Sequence, residues 1–152
     1  MNNKRKYWQG EDGMSLIEAL VATAIVGIAF VGVYGLVAMS EKSMRESVAK
    51  QKLQMQANQI MDIIDGDVDN IDNYDGIDLT DCVDPAGATD KYLVRSYEWC
   101  SRLEGEVGEA GDDDIRSIEI ETLVDNRKVV HLQLETFGGT VQIVMKRVYS
   151  VP

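Results

Sequence analysis

The feature that most constrains this chain is a run of 21 residues, Ala19 to Met39, without a single charged side chain. At about 1.5 Å per residue a helix of that length reaches about 32 Å, close to the ~30 Å hydrocarbon thickness of a bilayer. A core helix of a soluble protein needs a polar face, and here only Thr23 and Tyr34 offer one. The run therefore predicts one membrane-spanning helix. It begins one residue after Glu18, and a carboxylate costs roughly 2.5–3.5 kcal/mol at the bilayer centre on insertion scales, less near a membrane face. A chain with no use for that charge would not be expected to keep it there.

Charge is laid out unevenly around the run. The first 13 residues set Lys4, Arg5 and Lys6 against Glu11 and Asp12, and their net of +1 leaves −12 for the rest of a chain whose total is −11. The order is a short basic head, an apolar rod and an acidic body. Lys4, Arg5 and Lys6 upstream of the span place the N-terminus in the cytoplasm by the positive-inside tendency, and the body across the membrane. The acidic body speaks against nucleic acid as a direct partner, because phosphate contacts need Lys and Arg, and does not favour an anionic lipid surface. A secretory signal has 7–15 apolar residues and an A-x-A-like cleavage site. This run is too long, and "VAMSEKSM" carries it into helix-forming residues. A plain signal anchor leaves Glu18 unexplained.

The pattern that accounts for Glu18 is "GMSLIE", residues 13–18. A short basic leader, a junction glycine, a glutamate five places after it, an apolar run and an amphipathic continuation together resemble the processing site of type IV prepilins, over Lys4 to about Ile64. The resemblance implies cleavage by a prepilin peptidase between Gly13 and Met14 on the cytoplasmic side, and N-methylation of Met14 by the same enzyme. Removal of 13 of the 152 residues would leave 139. It also implies assembly with other pilins or pseudopilins on an inner-membrane platform. There, the amine of one subunit's Met14 meets the Glu18 carboxylate of a neighbour, two charges costly alone in an apolar core and tolerable when paired. The chain departs from the common pattern in having Met14 rather than Phe after the junction, and no proline within the apolar run. Gly27, Gly32 and Gly35 read as sites of close helix packing.

Beyond Met39 the chain turns polar without a helix breaker up to Asp65. Val48, Ala49, Leu53, Ala57, Ile60 and Ile64 recur at helical spacing, which predicts one helix from Met14 to about Ile64 whose second half lays a stripe on the body. Aspartates then stand at 65, 67, 69, 72, 75, 78, 81 and 84. Asp65, Asp67 and Asp69 fit the first half of an EF-hand loop and make a calcium candidate. Asn70 replaces the turn glycine, however, and Gly76 the bidentate glutamate, so the segment reads as a loop rich in Asx turns. "KYLVRSYEWC" (91–100) reads as a strand that leads into a short helix at "YEWCSRLEGEV". Residues 114–125 and 128–137 alternate apolar and polar positions as strands, with "DNR" as the hairpin turn and "GG" at 138–139 leading into a third strand, "TVQIVMKRVYSV". The expected fold is α+β: a long N-terminal helix packed on a small antiparallel sheet. Its parts are a leader (1–13), a membrane and filament-core helix (14–39), an amphipathic continuation (40–64) and a periplasmic body (65–152).

Cys82 and Cys100 enclose 17 residues and lie near no C-x-x-C and no histidine pair, so zinc is not indicated. In an exported body a disulfide between them is the favoured state; in a cytoplasmic one they would be reduced thiols. The single histidine, His131, falls in mid-strand. No G-x-S-x-G, phosphate loop or metal-ligand cluster is present, so neither an enzyme nor a cofactor is expected. Three readings remain: a minor pilin of a type IV pilus, a minor pseudopilin of a type II secretion system, and a single-pass anchored binding domain. The order of a Trp, a short helix, a Gly/Asp-rich loop and a closing hairpin is similar to minor pilins of the PilV type.

Overall fold

A computed structural model describes residues 15–150. Gly13, Met14 and the basic leader residues Lys4, Arg5 and Lys6 lie outside the described residues. The chain divides between Lys42 and Ser43 into two compact units. One helix, α1 (Leu16–Asp65), contributes to both.

In the N-terminal unit α1 carries the apolar run, and its side chains are exposed among the described residues: Leu16 is 80% and Ile28 75% exposed. The stretch is long and apolar enough to cross a membrane. Of its two hydroxyl side chains, that of Thr23 is satisfied inside the helix, donating to Ala19 O at 3.0 Å and Leu20 O at 2.9 Å.

The second unit is an α+β body. After α1 come a 3-10 helix (Val68–Tyr74), β1 (Ile77–Asp78), α2 (Lys91–Val107), β2 (Arg116–Thr122), β3 (Arg127–Thr136) and β4 (Val141–Ser150). The strands form one antiparallel sheet in the order β1-β2-β3-β4. Ala49, Leu53, Ala57, Ile60, Met61 and Ile64 of α1 are buried, spaced three or four apart with one adjacent pair. Leu53, Ala57, Ile60, Met61 and Ile64 share a core with Trp99 and Leu103 of α2 and with Ile118, Val130, Leu132, Leu134 and Ile143, the alternate residues of one sheet face. The helix stripe differs from the predicted one at three places: Val48 is exposed, while Gln56 and Met61 are buried.

Residues 91–107 form a single helix rather than a strand leading into a helix. Asp90 accepts from Tyr92 N at 2.9 Å and caps its start. Tyr92, Trp99, Leu103 and Val107 then follow at seven, four and four, a helical period that the strand-like "YLVRSY" conceals. The two-residue β1 forms inside the aspartate-rich segment, where Leu79 N donates to Arg116 O at 2.7 Å and Gly76 N to Ile118 O at 3.0 Å. The β3–β4 turn places Phe137, Gly138 and Gly139 in succession at positive φ (58°, 63° and 74°), which explains the paired glycines.

Candidate functional site

Glu18 lies in the first turn of α1, where the unsatisfied backbone N–H groups and the positive end of the helix dipole favour a carboxylate. Among the described residues it has no hydrogen-bond or ion-pair partner. From there to Met39 the helix presents apolar side chains with no cover from the chain, and nothing stands within 4 Å of where a Cβ would lie at Gly27, Gly32 or Gly35. The N-terminal unit is thus a surface awaiting an apolar phase, with one charge at its head. It can insert, and it can pack.

The acidic segment of the body behaves differently from its sequence pattern. Asp67 accepts from four side chains: Asn70 Nδ2 (2.7 Å), Tyr74 Oη (2.9 Å), Lys91 Nζ (2.9 Å) and Arg95 Nη1 (2.9 Å). The hydrogen bond from Asn70, then those from Lys91, Tyr74 and Arg95, hold its carboxyl well below the usual range against the opposing effect of burial. Tyr74 sits beneath it, fully buried, edge-on to Tyr92 (5.0 Å) and stacked on Trp99 (5.9 Å). Burial, helped by Asp67, pushes the Tyr74 hydroxyl up to about 12. Asp65 instead takes hydrogen bonds from Arg147 and Tyr149 of β4. The calcium candidates Asp65 and Asp67 therefore face different cationic partners, and Asp69 joins neither set. Among the described residues the one group with metal-ligand spacing is Cys82, Cys100 and Glu104, whose two sulfurs are bonded to each other.

That disulfide ties the loop after β1 to the buried side of α2. Lys52 Nζ donates to Glu106 O at 2.7 Å, Arg102 to Gln59 at 2.9 Å, and Arg95 to Asp67, so α2 runs antiparallel to the body half of α1. Arg116 is 1% exposed and holds the chain after α2 by donating to Gly108 O (3.0 Å) and Glu135 O (3.1 Å). Burial lowers its pKa, and Asp114 and Glu104 oppose that shift. Asp114 accepts from Gly111 N and Gly139 N, which fixes the same loop to the β3–β4 turn. His131 lies on the sheet face away from the core, 3.4 Å from Glu121, with no nucleophile or second base beside it among the contacts described.

Sequence reasoning named Asp67 only as a calcium candidate and missed its four side-chain donors, along with Tyr74 and Arg116. The signal for the first was present in Lys91 and Arg95, two cations one helical turn apart, but only once 91–107 is read as a helix. Arg116 gave no signal, because its alternation partners are the apolar Ile118 and Ile120.

Residues 8–34 match the family model described as the prokaryotic N-terminal methylation motif. The chain therefore carries the signature of type IV prepilins and pseudopilins, whose members are structural rather than enzymatic. Motif and uncovered apolar helix together fit a membrane-anchored pilin-like protein, and the motif implies processing by a prepilin peptidase and assembly with other pilins. No curated protein and no solved structure matched the chain.

Proposed function

We propose that this chain, a bearer of the prepilin signature, is a minor pilin of a type IV pilus that takes part in priming or building the filament. The leader holds its N-terminus in the cytoplasm through Lys4, Arg5 and Lys6; the peptidase cuts between Gly13 and Met14 and methylates Met14. The body stands in the periplasm, and α1 waits in the inner membrane until it enters the filament core. There Glu18 pairs with the Met14 amine of a neighbour and fixes the axial register. The observation that carries this reading is the pairing of one carboxylate at the head of α1 with a helix face that finds no cover in its own chain. The acidic body favours a minor over a major subunit, because copies of it repel one another over most of their surface.

The test is the intact mass of the protein recovered from sheared filaments. The expected species is a 139-residue chain beginning at methylated Met14. An uncut chain confined to membranes would make it an anchored binding domain instead. Pseudopilins carry the same motif, and a deletion strain that keeps its pili but loses type II secretion would assign the chain to that system.

A further inference from the structure

The body carries two uncovered surfaces of complementary chemistry. The first is a groove of about 430 Å³ between the disulfide-tied loop and α2, with Val83, Pro85, Leu93 and Tyr97 as its apolar lining and Asp78 and Asp81 at its rim. Val83 is 71% and Leu93 53% exposed, although both stand on backbone that the Cys82–Cys100 bond holds in place. Asp78 is engaged with Thr80, while the Asp81 carboxylate has no hydrogen-bond or ion-pair partner among the described residues. The second surface lies on α1 opposite its buried stripe. Met44, Val48 and Met55 fall at i, i+4 and i+11, one helix face, and all three are exposed. Arg45, beside them, has no ion-pair partner among the described residues.

We propose that the groove is a docking surface for the Met44–Met55 face of α1 in a second copy of this chain, with Arg45 of that copy at Asp78 and Asp81. The inference rests on the reading that mature subunits assemble. Charge selects the occupant: acidic bodies repel over most contacts, and a contact that sets a cation on the acidic rim is one that lowers the repulsion. Apolar residues meet apolar residues in the same pose. The two surfaces are different patches, so the contact is head-to-tail and does not close on itself, as stacking requires. The antiparallel course of α2 puts Tyr97 of the groove level with the last turn of α1, some 15 positions from the centre of the Met44–Met55 face, an axial offset of roughly 22 Å between copies.

Co-expression of Met44→Cys copies and Leu93→Cys copies in one strain, followed by oxidation of sheared filaments, tests the contact. The expected product is a reducible dimer that forms only when both variants are present. Asp81→Lys in the Leu93→Cys copy should lower its yield severalfold, and Arg45→Glu in the other copy should restore it. Retention of the Cys82–Cys100 bond in each variant, read by alkylation, shows that the body is folded. Cut protein present in filaments without the mixed dimer, or cross-linked through Leu93→Cys to a different pilin, overturns the docking proposal alone. Uncut protein missing from filaments overturns the assembly reading beneath it.

Discussion

Leu16–Lys42 and Ser43–Asp65 belong to one helix, and physically they have little in common. In the second stretch Leu53, Ala57 and Ile64 are fully buried by the chain's own sheet and second helix. In the first, every side chain is exposed among the described residues. Helical periodicity is also clear in only one of them. The body stretch alternates a buried stripe with polar residues, whereas the anchor stretch is apolar all round, as a helix is when its surroundings are apolar on every side. The same secondary structure therefore stores its stability in two places: in this chain's own core, and in whatever phase or subunit surrounds the anchor.

That contrast is most exposed to test at Glu18. If the carboxylate only decorates the helix head, Glu18→Ala inserts, is cut and enters filaments normally. If it pairs with a neighbour's amine, the change strands a buried ammonium at a cost on the order of 3–5 kcal/mol. The expected outcome is protein inserted and largely cut, yet absent from sheared filaments by immunoblot. Wild-type abundance there would remove the pairing.

Next in size is a matched pair of truncations. Leu53→Ala should destabilise the body by about 2–5 kcal/mol, the usual range for a fully buried leucine. Leu20→Ala should leave the melt of the same mature protein in detergent unchanged, because Leu20 belongs to the other compact unit and is 60% exposed. Equal shifts in the two melts would mean that the halves are not independent.

The third test concerns the covalent tie that only the body possesses. Cys82→Ser with Cys100→Ser should lower the urea midpoint by the equivalent of about 3 kcal/mol, the chain-entropy value for a loop of this size. In wild-type protein, alkylation without reductant should label neither cysteine. Equal labelling with and without reductant would contradict a periplasmic body.

The smallest expected effect is electrostatic. The folded pKa of Asp67 is depressed, so between the folded and unfolded values the unfolded chain binds the extra proton. Its contribution to stability is complete above the ordinary carboxylate range near pH 4 and is lost as pH falls below it. Asp67→Asn should lower stability at pH 7 and flatten the dependence below pH 4. A mutant whose acid limb runs parallel to wild type would show that other carboxylates carry that slope.

How much of this was readable in advance follows from where each signal originates. The helix α1 and strands β2, β3 and β4 announce themselves by local period, and the sequence bounds fall within a few residues of the observed ones. Residues 91–97 mislead because Tyr92, Val94 and Ser96 alternate with other side chains as a strand would, while the deciding capping interaction is made by Asp90 just outside the run. Strand β1 has no local signature, since its two residues are extended only because Ile118 and Ser117 pair with them. The same holds for Asp67, one of eight aspartates in its segment, which differs from the others by what α2 brings to it. Glu18 stood out for the opposite reason: a charge conspicuous against an apolar background needs no tertiary context.

One contact at the sheet margin reaches further than its size. Ile120 N, on the side of β2 that faces away from β3, donates to Asp75 Oδ1 at 2.7 Å. Beyond the two residues of β1, a carboxylate thus stands where another strand would offer a carbonyl. An incoming strand would find that donor taken and would bring its own carbonyl oxygen against a negative charge. Sheet growth is hindered at this point of the β2 margin, while β4 forms the opposite edge of the sheet.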